Sequence, residues 1–100
     1  MNYILANDIR NSLQADRLKI DWKPFRHCNA HYSDEVVVTI GNTDYKVKAL
    51  MSYTTIVAFE YDGVVYEIGK YSRTTSRQVS WYAGSKNRVY YERRTAWKLR

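Results

Sequence analysis

The chain has a single cysteine, a single proline, only four glycines and no apolar run approaching the length of a bilayer. One cysteine, Cys28, excludes an intramolecular disulfide and makes a reducing compartment the simplest home. So little glycine and proline excludes a collagenous, linker-like or disordered segment. The first residues lack the apolar core of a secretory signal, and no stretch is long enough to cross a membrane as a helix. A soluble protein of the cytoplasm is therefore expected. Also missing are a glycine-rich phosphate loop, any supporting signature for a Ser–His–Asp set, and a second Cys or His cluster. What remains is ordinary globular material, 45% apolar and 26% charged over 100 residues. That is enough for one domain, 1–100, with a single core and no need of metal or disulfide staples.

The most informative stretch runs from Ser52 to Gln78. Tyr53, Thr55, Val57, Phe59 and Tyr61 alternate with Thr54, Ile56, Ala58 and Glu60, the period-two pattern of a pleated strand. Asp62-Gly63 follows, and Val64, Tyr66 and Ile68 resume the alternation. Asp-Gly between two such runs predicts a type I′ hairpin, because both central residues need positive φ. After Gly69 the chemistry changes to Tyr71-Ser72-Arg73-Thr74-Thr75-Ser76-Arg77-Gln78. Thr74 or Thr75 is the expected N-cap of a helix that Gly84 ends; with Thr75 as cap, Gln78 falls where a capping box needs it. On such a helix Thr75, Val79, Tyr82 and Ala83 share an inner face, while Arg77 and Trp81 lie outside. Trp81 is then either one half of a surface cation–π pair with Arg77 or an exposed contact anchor.

The pattern Ser52-Tyr53-x-Thr55-x-Val57-Ala58, a hairpin, then Tyr71-Ser72-x-Thr74-Thr75-Ser76-x-Gln78 resembles a group of small uncharacterised proteins encoded by bacteriophages and related mobile elements. The last position is often His in that group. The match spans about a quarter of the chain. It implies a phage-like origin and a bacterial host cytoplasm as workplace, and it implies no reaction. The same hydroxyls also suit a purely structural role, since Ser and Thr at a strand-to-helix junction satisfy free amides.

Sixteen Lys and Arg oppose ten Asp and Glu, a net charge of +6. The distribution is uneven. Residues 68–100 hold nine basic side chains against Glu92 alone, +8, interleaved with Tyr71, Trp81, Tyr82, Tyr90, Tyr91 and Trp97. Cations that meet phosphates and rings that stack on bases make nucleic-acid surfaces; the same composition also clothes any solvated basic helix and strand. Arg73, Arg77, Trp81, Lys86, Arg88, Tyr90, Arg93 and Arg94 are the candidate partner- or nucleic-acid-binding residues.

Elsewhere, Leu5, Ile9 and Leu13 recur every four residues and predict an amphipathic helix over about residues 6–15. Leu18, Ile20 and Trp22 alternate as in a short strand before Pro24. Residues 25–34 read as a polar loop with Cys28 half-buried. Its His27, Cys28, His31 and Asp34 are potential ligands, yet adjacent His27 and Cys28 point apart when extended, and zinc needs a fourth inward donor. Val36, Val38 and Ile40 form a strand, Gly41–Asp44 a turn, and Tyr45, Val47 and Ala49 another strand. Val89 to Leu99 reads as a single C-terminal strand, with Arg93 marking an edge, a bulge or an exposed site. The expected fold is α+β: a bent antiparallel sheet, a meander of about four strands plus a C-terminal strand, with an N-terminal helix and a helix near 75–84.

Asp44-Tyr45-Lys46 and Glu67-Ile68-Gly69-Lys70 loosely echo the acid-and-lysine sets of metal-dependent nucleases, but the first lies at a turn where charges are ordinary. The expectation is a non-enzymatic protein without cofactor or metal, of phage type, that binds host protein or nucleoprotein machinery, for example to inhibit a defence system. Direct, sequence-indifferent binding of DNA or RNA is the alternative, and a small basic ribonuclease toxin a further one. A DNA mimic is disfavoured by the positive charge.

Overall fold

The computed structural model describes residues 3–26, 29–67, 72–92 and 96–99. Helix α1 spans Tyr3–Ala15 and is followed by a single 3-10 turn, Arg17–Lys19. Seven strands then form one sheet in chain order: β1 (Lys23–Pro24), β2 (Ala30–Ile40), β3 (Thr43–Ser52), β4 (Thr55–Tyr61), β5 (Val64–Glu67), β6 (Asn87–Glu92) and β7 (Ala96–Leu99). Helix α2, Arg73–Ala83, connects β5 to β6. Strands β2 to β5 are the expected antiparallel meander. The α2 crossover returns the chain in its original direction, so β6 runs parallel to β5, as a helical connection between neighbouring strands requires.

Turn chemistry fixes the meander. Asp62 and Gly63 have φ of 52° and 79°, the left-handed pair expected of a type I′ turn. The β2–β3 turn is tighter than the expected Gly41–Asp44: Thr43 and Asp44 already pair with Ile40 and Thr39. Tyr53 links β3 to β4 with φ of 56°, a conformation costly for a bulky residue. It is held because its N–H donates to Asn29 O at 2.6 Å. Gln14 of α1 clamps the same turn, donating to Thr54 O at 2.8 Å and accepting from Ile56 N–H at 2.7 Å.

Two bulges shape the sheet. Between Ser33 and Val36 two residues of β2, Asp34 and Glu35, stand opposite Lys48 alone. Between Leu50 and Met51 the partner strand carries Val57 as an extra residue, which turns Val57 and Ala58 together into the core cluster that includes α2 residues. The helices cover opposite faces. Ala6, Ile9 and Leu13 of α1 pack with Val38, Val47, Ile56, Phe59 and Tyr66; Val79 and Ala83 of α2 pack with Leu50, Val57, Ala58 and Val65.

Three local expectations change. Leu18–Trp22 is not a strand: the Trp22 indole N–H donates to Arg17 O at 2.7 Å and closes a turn, and Leu18 is 88% exposed. Residues 30–34 belong to β2 rather than to a polar loop. The segment from Val89 to Leu99 is a hairpin, β6 against β7. His27, Cys28, Arg93 and Arg94 lie outside the described residues.

Candidate functional site

Helix α2 starts two or three residues earlier than its sequence predicts, with neither Thr74 nor Thr75 as its cap. Ser72, in extended conformation, is the N-cap, and its hydroxyl accepts from Thr75 N–H at 3.2 Å. Thr75 is needed further in: buried, its hydroxyl lies 3.2 Å from Ser72 Oγ and 3.4 Å from Ser52 Oγ at the end of β3. The two halves of the hydroxyl-rich pattern thus meet at the Ser52–Thr75 bond, which ties the first turn of α2 to the sheet. Thr75, Gln78, Val79 and Ala83 form the buried side of the helix. Tyr82 is half-buried, edge-on to Phe25 with ring centroids 6.0 Å apart.

This anchoring leaves Arg73, Arg77 and Trp81 exposed. Spaced by four residues, they form one line about 12 Å long on the outer side of α2. Among the described residues neither arginine pairs with a carboxylate. Arg73 opens the helix at the positive end of its dipole, and the first turn has no acidic residue. A cation there costs stability rather than adds it, whereas Arg77, one turn further in, is simply exposed. Trp81, 39% exposed, points outward as expected. Its cation–π partner is not Arg77 but Arg26, whose guanidinium lies 5.5 Å from the ring centroid. Arg26 comes from the segment after β1, a long-range neighbour that sequence spacing does not reveal.

Lys86 and Arg88 are placed differently. Lys86 Nζ donates to Glu60 Oε1 at 2.8 Å, and Arg88 Nε donates to Glu67 Oε2 at 2.9 Å. Arg88 also reaches Ser80 Oγ at 3.3 Å. Glu60 and Glu67 are buried, at 9% and 1% exposure, so these cations neutralise carboxylates that burial would otherwise make very costly. Tyr90 is half-buried on β6, beside Glu67 in register. Of the eight candidates, then, three are gathered on one exposed line, two are counter-ions within the fold, Tyr90 is half-buried on β6, and Arg93 and Arg94 are not described. The sequence reading missed Arg26 and Tyr53. The latter is 63% exposed on the turn just after Ser52, at the N-terminal end of α2. Its place in the Ser52-Tyr53 pattern was the available signal.

Beside the C-terminal half of α2 a cleft of about 390 Å³ opens, lined among others by Arg26, Asp34, Lys48, Glu60, Tyr82 and Lys86. The Tyr82 hydroxyl is buried in the fold without a hydrogen-bond partner among the described residues. Burial first, then the negative charges of Glu60 and Asp34, push its pKa far above the ordinary tyrosine value, so it stays a neutral donor. The cleft runs into a groove of about 470 Å³ on the part of the sheet beyond α2, where Asp34, Glu35, Lys46, Lys48, Glu60 and Asp62 are neighbours. Among the described residues no group of three or more His, Cys, Asp or Glu side chains is arranged to hold a metal ion. Asp44 accepts from Thr39 Oγ1 at 2.6 Å within the hairpin. No described helix is long and apolar enough to cross a membrane.

The chain belongs to DUF8033, a family of unknown function, whose model matches residues 26–98. The matched stretch includes Arg26 and all of α2; α1 precedes it. No match was found among curated proteins or among solved structures.

Proposed function

We propose that this chain is a non-catalytic binding protein that docks through the outer face of α2 on host protein or nucleoprotein machinery. It is read as a phage-type accessory protein of the bacterial cytoplasm, with inhibition of a host defence system, in the manner of an anti-CRISPR protein, as its role. One observation carries the docking reading: Arg73, Arg77 and Trp81 stand in one exposed line, with neither arginine paired to a carboxylate among the described residues and Arg26 laid over the indole. Arg and Trp are the residue types that most often dominate binding hot spots. The phage and anti-defence parts rest on the resemblance described above.

Direct binding of DNA or RNA is the second reading, favoured by the same three arginines beside an accessible ring. Affinity capture from host lysate, with and without nuclease, separates the two. Under the first reading a partner persists after nuclease treatment and is lost when Arg73, Arg77 and Trp81 are all changed to alanine. Under the second, the captured material is nucleic acid, and its retention falls steeply as salt rises through the physiological range.

A further inference from the structure

We infer that the docking surface extends from the α2 line across the cleft into the groove, and that it fits a protein of mixed charge: carboxylates against Arg73, Arg77 and Arg26, and basic side chains against Asp34, Glu35 and Asp62. This rests on the outer face of α2 being the docking surface. Continuity comes from shared walls. Arg26 covers Trp81 and also lines the cleft, and Asp34, Lys48 and Glu60 line both cleft and groove. The sign of the charge changes along that path. The α2 line is purely cationic, whereas the groove sets Asp34, Glu35, Glu60 and Asp62 against Lys46 and Lys48.

The acidic end is built into the backbone. The β2 bulge inserts Asp34 and Glu35 opposite Lys48, leaving both exposed, and the hairpin turn holds Asp62 exposed beside them. With Glu60 answered by Lys86, the groove still sets three carboxylates, Asp34, Glu35 and Asp62, against two lysines, Lys46 and Lys48. A nucleic-acid strand carries its negative charge continuously, so one lying along α2 and onward meets repulsion in the groove. A protein surface can alternate sign to match, and like-charge juxtaposition is how interfaces reject wrong partners.

Three peptides of equal length and one single-stranded oligonucleotide test this on the intact chain by NMR titration at physiological salt. The peptides are all-glutamate, all-lysine, and a glutamate block joined to a lysine block through glycines. The two-block peptide is expected to shift the signals of α2 and of the groove together, and to bind about tenfold tighter than either uniform peptide. Glu35→Lys with Asp62→Lys should bring it down to the all-glutamate level; both positions are exposed, and a thermal melt checks that the fold is kept. Oligonucleotide binding as tight as that of the two-block peptide, or groove variants that leave peptide binding unchanged, would overturn the inference. If Arg73→Glu with Arg77→Glu left two-block binding intact, the docking reading itself would fall. If those changes abolished binding while the groove variants did nothing, only the inference would fall.

Discussion

The two faces of the sheet are held by different physics. Under α1 the contacts are aliphatic and aromatic: Ile9 and Leu13 meet Ile56 and Phe59, and Phe59 stacks on Tyr66 with centroids 5.1 Å apart. Under and beside α2 the apolar patch is smaller, and buried Glu60, Glu67 and Thr75 each need a polar partner. Lys86, Arg88 and Ser52 supply those partners. The difference teaches which positive charges are available for binding. A cation that answers a buried carboxylate is part of the fold; one held outward with no carboxylate among the described residues is free for something else.

The contrast can be broken at several points. Phe59→Ala should be the most damaging change, destabilising by about 4 kcal/mol in chemical denaturation, because the side chain is fully buried. Arg88→Ala should cost about 3 kcal/mol, since it takes the guanidinium away from the buried Glu67 carboxylate. Adding Glu67→Gln should recover much of that loss, whereas no second polar change would rescue Phe59→Ala. Lys86→Ala is expected to cost only about 1 kcal/mol: its side chain is 43% exposed, so water screens the pair. A smaller effect belongs to Tyr82. Its pKa is raised in the folded chain, so its contribution is fully present below the ordinary tyrosine value of about 10. That contribution is lost as pH climbs above it, because the unfolded chain releases the proton first. Thermal melts of Tyr82→Phe between neutral and strongly alkaline pH should fall less steeply than those of the unaltered chain.

Much of this architecture could be read from the residues. Alternation in Thr55–Tyr61 and the Asp62-Gly63 turn located the central hairpin, and the spacing of Leu5, Ile9 and Leu13 located α1, because both signals are local. The outward direction of Trp81 was legible for the same reason. Non-local pairings were not. Nothing near Lys86 or Arg88 in the sequence announces Glu60 or Glu67, so a run of nine basic residues looked like one surface when two of its members face inward to carboxylates. Arg26 was invisible as a neighbour of Trp81 because the two lie in separate segments. The β2 bulge hid too: Asp34 and Glu35 look like loop residues until register shows them opposite Lys48. Leu18 misled in the other direction, its alternation with Ile20 and Trp22 leading nowhere since the segment curls into a turn.

A double dissociation between two pairs of cations tests the central division most directly. Stability by denaturant titration and retention of a captured partner would be measured for Arg73→Ala with Arg77→Ala, and separately for Lys86→Ala with Arg88→Ala. The first pair should keep stability within about 0.5 kcal/mol and lose the partner; the second should unfold much more easily and, where still folded, keep it. A well-folded Lys86 and Arg88 variant that released the partner, beside an Arg73 and Arg77 variant that retained it, would contradict the account.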